Sequence, residues 1–178
     1  LDGICANQGG LIFNRDAVSF EYVTLSGGNA NEGGAIYSEG LIAGNNTSSA
    51  SEVTISNSLI QDNQSNNGAA LFIGQPRFTI RNSVVRDNIV KNAQGTIIYS
   101  ANAFDDETTG STTFPRVSTI TNSTLFNNTG YLLNIRDGIA VNNITAVENT
   151  KGFYFDAPNE KAHISNSIIV NKQNDCTY

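Results

Sequence analysis

The chain has 178 residues, enough for one domain with a sizeable core. Its net charge of -6 and 15% charged residues supply no basic stripe for a nucleic acid, and no stretch approaches the roughly 20 apolar residues that carry a helix across a bilayer. Abundant Asn, Gly, Ser and Thr favour a turn-rich, β-rich extracellular scaffold over a helical cytosolic enzyme. With no methionine in the chain, Leu1 is expected to follow processing, cloning or proteolysis.

Two phrases alternate along the chain. The first to appear is a glycine with four mostly apolar residues after it, Gly9–Phe13. The second is an alternating stretch that ends in a polar turn, and Val18–Gly28 is its degenerate first copy. Gly33-Gly-Ala-Ile-Tyr37 repeats the glycine phrase, and Val53-Thr-Ile-Ser-Asn-Ser-Leu-Ile-Gln-Asp-Asn63 is the full form of the other. The pair recurs as Gly68–Phe72 with Phe78–Asn88, Gly95–Tyr99 with Ser118–Asn128, and Gly130–Asn134 with Ile139–Asn149. Gly152–Asp156 and Ala162–Lys172 close the series.

Apolar residues within these phrases keep a period of two, so they predict strands. Three short strands per unit, with a minimum unit of about 21–24 residues and always in the same order, must stack in parallel. The predicted fold is all-β, a right-handed parallel β-helix of about six coils covering 1–178, with both ends cut from a larger polypeptide. Alignment of the copies gives three inward rows. They are Phe20, Ile55, Ile80, Ile120, Val141, Ile164; then Leu25, Ile60, Val85, Leu125, Ala146, Ile169; then Ile12, Ile36, Leu71, Ile98, Leu133, Phe155. Ser58, Ser83, Ser123 and Ser167 are expected at a narrow point beside a turn. The chain is expected to stop before a further glycine-led strand. Cys5 and Cys176 fall near opposite ends of such a stack, beyond disulfide reach of one another, so each is expected free or paired outside the chain.

Two asparagine positions recur: Asn57, Asn82, Asn122, Asn143, Asn166, and Asn63, Asn88, Asn128, Asn149. Because they span the coils rather than one site, both are read as structural ladders at turns, with Asn tolerating the left-handed conformation, rather than as metal or sugar ligands. Asn122 and Asn143 begin Asn-x-Ser/Thr sequons, but a ladder residue is expected to face inward, which leaves Asn45 and Asn46 as the accessible sequons.

The run Leu25-Ser-Gly-Gly-Asn-Ala-Asn-Glu-Gly-Gly-Ala-Ile-Tyr37 resembles the repeat of polymorphic outer-membrane proteins and related pectin-lyase-like surface exoproteins. Ile60-x-x-Asn63, Val85-x-x-Asn88 and Leu125-x-x-Asn128 match its second phrase, with aliphatics where that family prefers Phe. The resemblance covers nearly the whole chain as an architecture. It implies a secreted or cell-surface protein of bacterial type, often adhesive, and it transfers no catalytic residue.

Function is expected on one edge. Two long insertions, about 38–52 and 100–116, interrupt the turn after the glycine-led strand and should flank a groove around the short turn that holds Gln75 and Arg77. Asp105 and Asp106 lie in the second insertion. If Ile36 points inward, then Phe13, Tyr37, Phe72 and Tyr99 point outward in successive coils. Such a stripe either stacks on a glycan or partner protein, or is covered by the long loops or by sequence outside the chain. Asp62 and Asp87 share a register and form a weak calcium candidate, set against a solvated face balanced by Arg86 and Lys91. No cofactor is otherwise implied. The scarcity of convergent titratable groups favours a non-catalytic structural or adhesive segment. A polysaccharide lyase or glycoside hydrolase using Asp62, Asp87, Arg81 and Arg86 is the alternative.

Overall fold

The computed structural model describes residues 7–39, 52–74, 77–100, 118–135, 139–155, 162–173 and 176–177. Gln75, Asp105, Asp106, Cys5, Asn45, Asn46 and the bodies of both insertions lie outside the described residues.

The chain winds through three parallel sheets in fixed order, as expected of a parallel β-helix. The first sheet holds Val18–Glu21, Glu52–Ser56, Arg77–Arg81, Ser118–Thr121, Ile139–Asn142 and Ala162–Ser165. The second holds Thr24–Ser26, Leu59–Gln61, Val84–Arg86, Thr124–Phe126, Thr145–Val147 and Ile168–Val170. The third holds Ile12–Asn14, Ile36–Ser38, Leu71–Ile73, Thr96–Ser100, Tyr131–Ile135, Phe153–Phe155 and Cys176–Thr177. A two-stranded ribbon, Gln64–Ser65 with Ile89–Val90, lies in the connection between the second and third sheets. Most strands of the three large sheets form because they are rich in β-branched and apolar residues, and they are short because turn formers bound them. Alternate residues of the three sheets meet in one apolar core that includes Ile36, Ile55, Ile60, Leu71, Ile80 and Leu125.

The first two predicted rows stand as expected: Phe20, Ile55, Ile80, Ile120, Val141 and Ile164 pair in succession, as do Leu25, Ile60, Val85, Leu125, Ala146 and Ile169. The third is corrected at its end. Leu133 pairs with Phe153, and Phe155 pairs with Ile135. Aligning Gly152 with Gly130 caused the error, because the connection after Asn149 is shorter than that after Asn128. Gly152 therefore stands opposite Leu132, whose N–H donates to its carbonyl at 2.8 Å. A slip of two leaves the inward face unchanged, since side chains alternate with period two. The expected stop before a further third-sheet strand is also corrected: Cys176–Thr177 pairs with Phe153 and Tyr154.

The two asparagine positions divide their labour. Asn57, Asn82, Asn122, Asn143 and Asn166 adopt φ between 47 and 56° at the corner from the first to the second sheet. They are partly or fully exposed, so Asn122 and Asn143 face outward rather than inward. Asn63, Asn88, Asn128 and Asn149 are buried and form the ladder. The left-handed residue there is the one just before, at Asp62, Asp87, Asn127 and Glu148. Asn63 Oδ1 accepts the Gly28 N–H at 2.9 Å, and its amide donates to the Leu25 carbonyl at 3.1 Å and to Asn88 Oδ1 at 3.0 Å. The corresponding bonds of Asn88, Asn128 and Asn149 span 2.9–3.1 Å. Asn171 joins the ladder as acceptor for the Asn149 amide at 2.9 Å. A serine ladder parallels it: Ser58, Ser83, Ser123 and Ser167 each donate to the carbonyl two residues earlier at 2.6–2.8 Å. Ser83 and Ser123 also accept the Ser58 and Ser83 N–H groups at 3.1 Å.

Glycine is required where the connection turns into the third sheet. Gly33 has φ +67°, and a Cβ there would meet the Ile36 carbonyl oxygen at 2.5 Å.

The ladder and the corner should differ sharply in their sensitivity to substitution. Replacing Asn88 by Leu strands the Asn63 amide and several backbone groups, so it should cost about 3 kcal/mol or more, against about 1 kcal/mol for Asn57→Ala. Equilibrium urea unfolding of both variants measures the contrast. Tyr22 is the odd residue of the left-handed corner, at φ 55° and 78% exposed. Tyr22→Asn should stabilise the fold by about 1 kcal/mol, read as a rise in thermal midpoint.

Candidate binding faces

In the third sheet Ile12, Ile36, Leu71 and Ile98 occupy the inward row, so the next residue of each strand points out. Phe13, Tyr37, Phe72 and Tyr99 are thereby superposed in consecutive coils. Strand spacing of about 4.8 Å is close to a ring-stacking distance, so the register itself drives the rings together. Their centroids are 5.4, 5.0 and 4.7 Å apart, with interplanar angles of 12, 13 and 27°.

The stripe is outward but not open throughout. Phe13 is 45% exposed, whereas Tyr37 and Phe72 keep only 7% and 8%, and Tyr99 is half-buried. Each interior ring presents both faces to its column neighbours, which leaves only edges for other contacts. At the Phe13 end, the Arg15 guanidinium lies 5.1 Å from the ring centroid and pairs with Glu39 at 2.9 Å. At the other end the column breaks at Asn134, the strand partner of Tyr99. Asn134 is buried, and its Oδ1 has no hydrogen-bond partner. The next outward residue, Tyr154, tilts at 42° against Tyr131, 5.3 Å away, and Lys151 Nζ sits 4.3 Å from the Tyr131 ring.

A second feature was not anticipated from the sequence. A trough of about 450 Å³ lies along the connection that enters the third sheet, lined by Asn7, Gln8, Asn31, Glu32, Asn66, Asn67, Asn92, Gln94 and Gly95. Asn31 donates to Asn7 Oδ1 at 3.0 Å, and Asn66 donates to Asn31 Oδ1 at 3.1 Å. Gln8 donates to Glu32 at 3.3 Å, and Asn67 Oδ1 accepts from the Thr96 N–H and hydroxyl at 3.1 and 3.0 Å. The signal was present as Asn7-Gln-Gly9, Asn31-Glu-Gly33 and Asn66-Asn-Gly68, three copies of Asn-polar-Gly.

Asp62 and Asp87 do fall in neighbouring coils, as their shared register predicts. Both occupy left-handed turns at φ 56°. Asp87 accepts from Arg86 at 2.7 Å and from Asn127 at 2.8 Å. Among the described residues, no three His, Cys, Asp or Glu side chains gather as a metal site. Arg77 begins a first-sheet strand opposite Glu52, and its Nε is buried without a hydrogen-bond partner. Arg81 and Arg86 belong to different sheets, and the exposed His163 stands beside Ala140.

Comparison of the chain with protein-family models, curated proteins and solved structures finds no match.

Burial within the stack raises the Tyr37 phenol above its ordinary value of 10.0, with smaller contributions from Glu32 and Glu39. The folded state thus prefers the neutral phenol. That share of stability is intact below pH 10 and is lost as pH climbs through the higher folded value. Tyr37→Phe should therefore flatten the alkaline loss of stability, measured as the change in urea midpoint between neutral pH and a pH above 10.

Proposed function

We propose that this chain is a non-catalytic segment of a secreted or cell-surface protein that presents the flank of its third sheet to a glycan or a partner protein. The observation that carries this reading is the four-ring column. Its side chains point away from the core, yet they are aligned and stacked over four coils. Packing of the interior does not call for rings there, because the core is already filled by the inward rows. Rigid aromatic edges with a cationic neighbour, Arg15, form a surface suited to the apolar faces of sugars or to a protein partner. The resemblance of Leu25–Tyr37 to the repeats of surface exoproteins supports the extracellular placement, and so does the polar, acidic composition.

The lyase or hydrolase alternative requires an acid, a base and a charge-neutralising group to converge. Among the described residues, Arg81 and His163 stand on strands of the first sheet that are three coils apart, and Arg86 belongs to the second sheet, so no observation favours it over the scaffold reading.

A glycan array and a pull-down from surface extracts test the proposal. Binding should weaken tenfold or more in Phe13→Ala and Tyr99→Ala, while the thermal midpoint of Phe13→Ala moves little. The absence of any binder, or binding indifferent to both substitutions, overturns it. Release of unsaturated or reducing ends from pectate, alginate or chondroitin would establish the enzymatic alternative instead.

A further inference from the structure

The geometry points to the amide trough as a binding subsite for a neutral, hydroxyl-rich glycan whose chain runs along the solenoid axis. This deepens the scaffold reading above and rests on it, since it names a ligand class and a second contact region.

Seven of the nine lining side chains are carboxamides, Glu32 is the single charged residue, and Gly95 completes the wall. A carboxamide carries two N–H donors and an oxygen with two lone pairs. In the Asn7–Asn31–Asn66 chain, Asn31 uses one donor and one lone pair on its neighbours, which leaves one of each for a ligand. The chain therefore offers a donor and an acceptor together at every coil. A sugar hydroxyl, itself both donor and acceptor, answers that pattern, whereas a carboxylate or sulfate can only accept. Glu32 also repels an anionic chain, and its carboxylate suits a hydroxyl donor.

The trough is directional. Its lining comes from four successive coils, a span of about 14 Å at a strand spacing of about 4.8 Å. Its far end is marked by Lys151, which donates to the Ala93 carbonyl at 3.0 Å while lying over Tyr131. An extended oligosaccharide laid along the stack would meet one amide per coil. Asn31, Asn66 and Asn92 border solvent, so the ligand's hydroxyls would take the places of water on these amides, one hydrogen bond exchanged for another.

The test is titration of the isotope-labelled chain with short neutral oligosaccharides of mannose, glucose and N-acetylglucosamine, and with oligogalacturonate. The Asn31 and Asn66 side-chain amide resonances are monitored, and thermal melts of each variant confirm folding. A neutral oligosaccharide should shift both amides, and Asn31→Ala or Asn66→Ala should raise its dissociation constant about tenfold. Oligogalacturonate should bind at least tenfold more weakly. Shifts confined to the surroundings of Phe13 and Tyr99, with affinity unchanged by the Asn31 and Asn66 substitutions, overturn the trough while leaving the scaffold reading standing. Tighter binding of oligogalacturonate overturns the neutral class. No shift with any neutral oligosaccharide overturns the subsite, and the pull-down with Phe13→Ala then decides the scaffold reading separately.

Discussion

Each buried asparagine of the ladder is bonded to the coils on either side of it, and the rest of the molecule conforms to that reciprocity. Asn88 accepts from Asn63 above and donates to Asn128 below, and it also closes onto the Ile60 carbonyl at 3.0 Å. These bonds lie in the interior, where an unpaired amide or carbonyl costs about 1–3 kcal/mol. A coil displaced by one residue would orphan groups in two neighbours and turn its apolar row outward as well. The block from Ile55 through Ile60 to Asn63 is therefore repeated without change in length at Ile80–Asn88, Ile120–Asn128 and Val141–Asn149. Variation is confined to the connections outside that block.

The corners obey the same logic through backbone shape. A strand of three residues between two left-handed turns, as in Leu59–Gln61 between Asn57 and Asp62, changes direction sharply at both ends. Asn and Asp tolerate that conformation better than other side chains, which accounts for their density in the sequence. Columns survive single substitutions because the backbone supplies the missing link. Val23 replaces a serine, yet its N–H still donates to Ser58 Oγ at 3.2 Å. Ile144 does the same towards Ser167 at 3.3 Å. Gly28 replaces a ladder asparagine and retains only the backbone donor to Asn63.

The fold was readable because periodicity of two, Asn at fixed spacing and Ser beside it are all consequences of stacking, so each copy reports the same geometry. Two neighbouring asparagine columns were indistinguishable as letters. Only φ and burial separate Asn57, which shapes a corner, from Asn63, which fills the interior. Phe155 was misplaced because a glycine anchors an alignment only where the connection keeps its length. Outward direction of the aromatic residues could be read from alternation, but their exposure could not: Tyr37 and Phe72 lose it to neighbours whose ring separation no sequence pattern states. The trough is not legible in the sequence because its asparagines stand in a connection whose length varies from coil to coil.

That variable segment also explains why both surface features share the early coils. From Asn63 to Leu71, and again from Asn88 to Ile98, the connection is long enough to carry a ribbon strand and a row of amides before the glycine turn. After Asn128 and Asn149 it contracts, so Leu133 and Phe153 come almost at once. The amide row has no room to continue there, and the Asn134 gap interrupts the aromatic column in the same coil. Lys151 then bridges back across the shortened coil to Ala93, joining the two lengths of connection. Outer-wall chemistry therefore changes where the connection length changes, while the interior ladder passes through that point without a break.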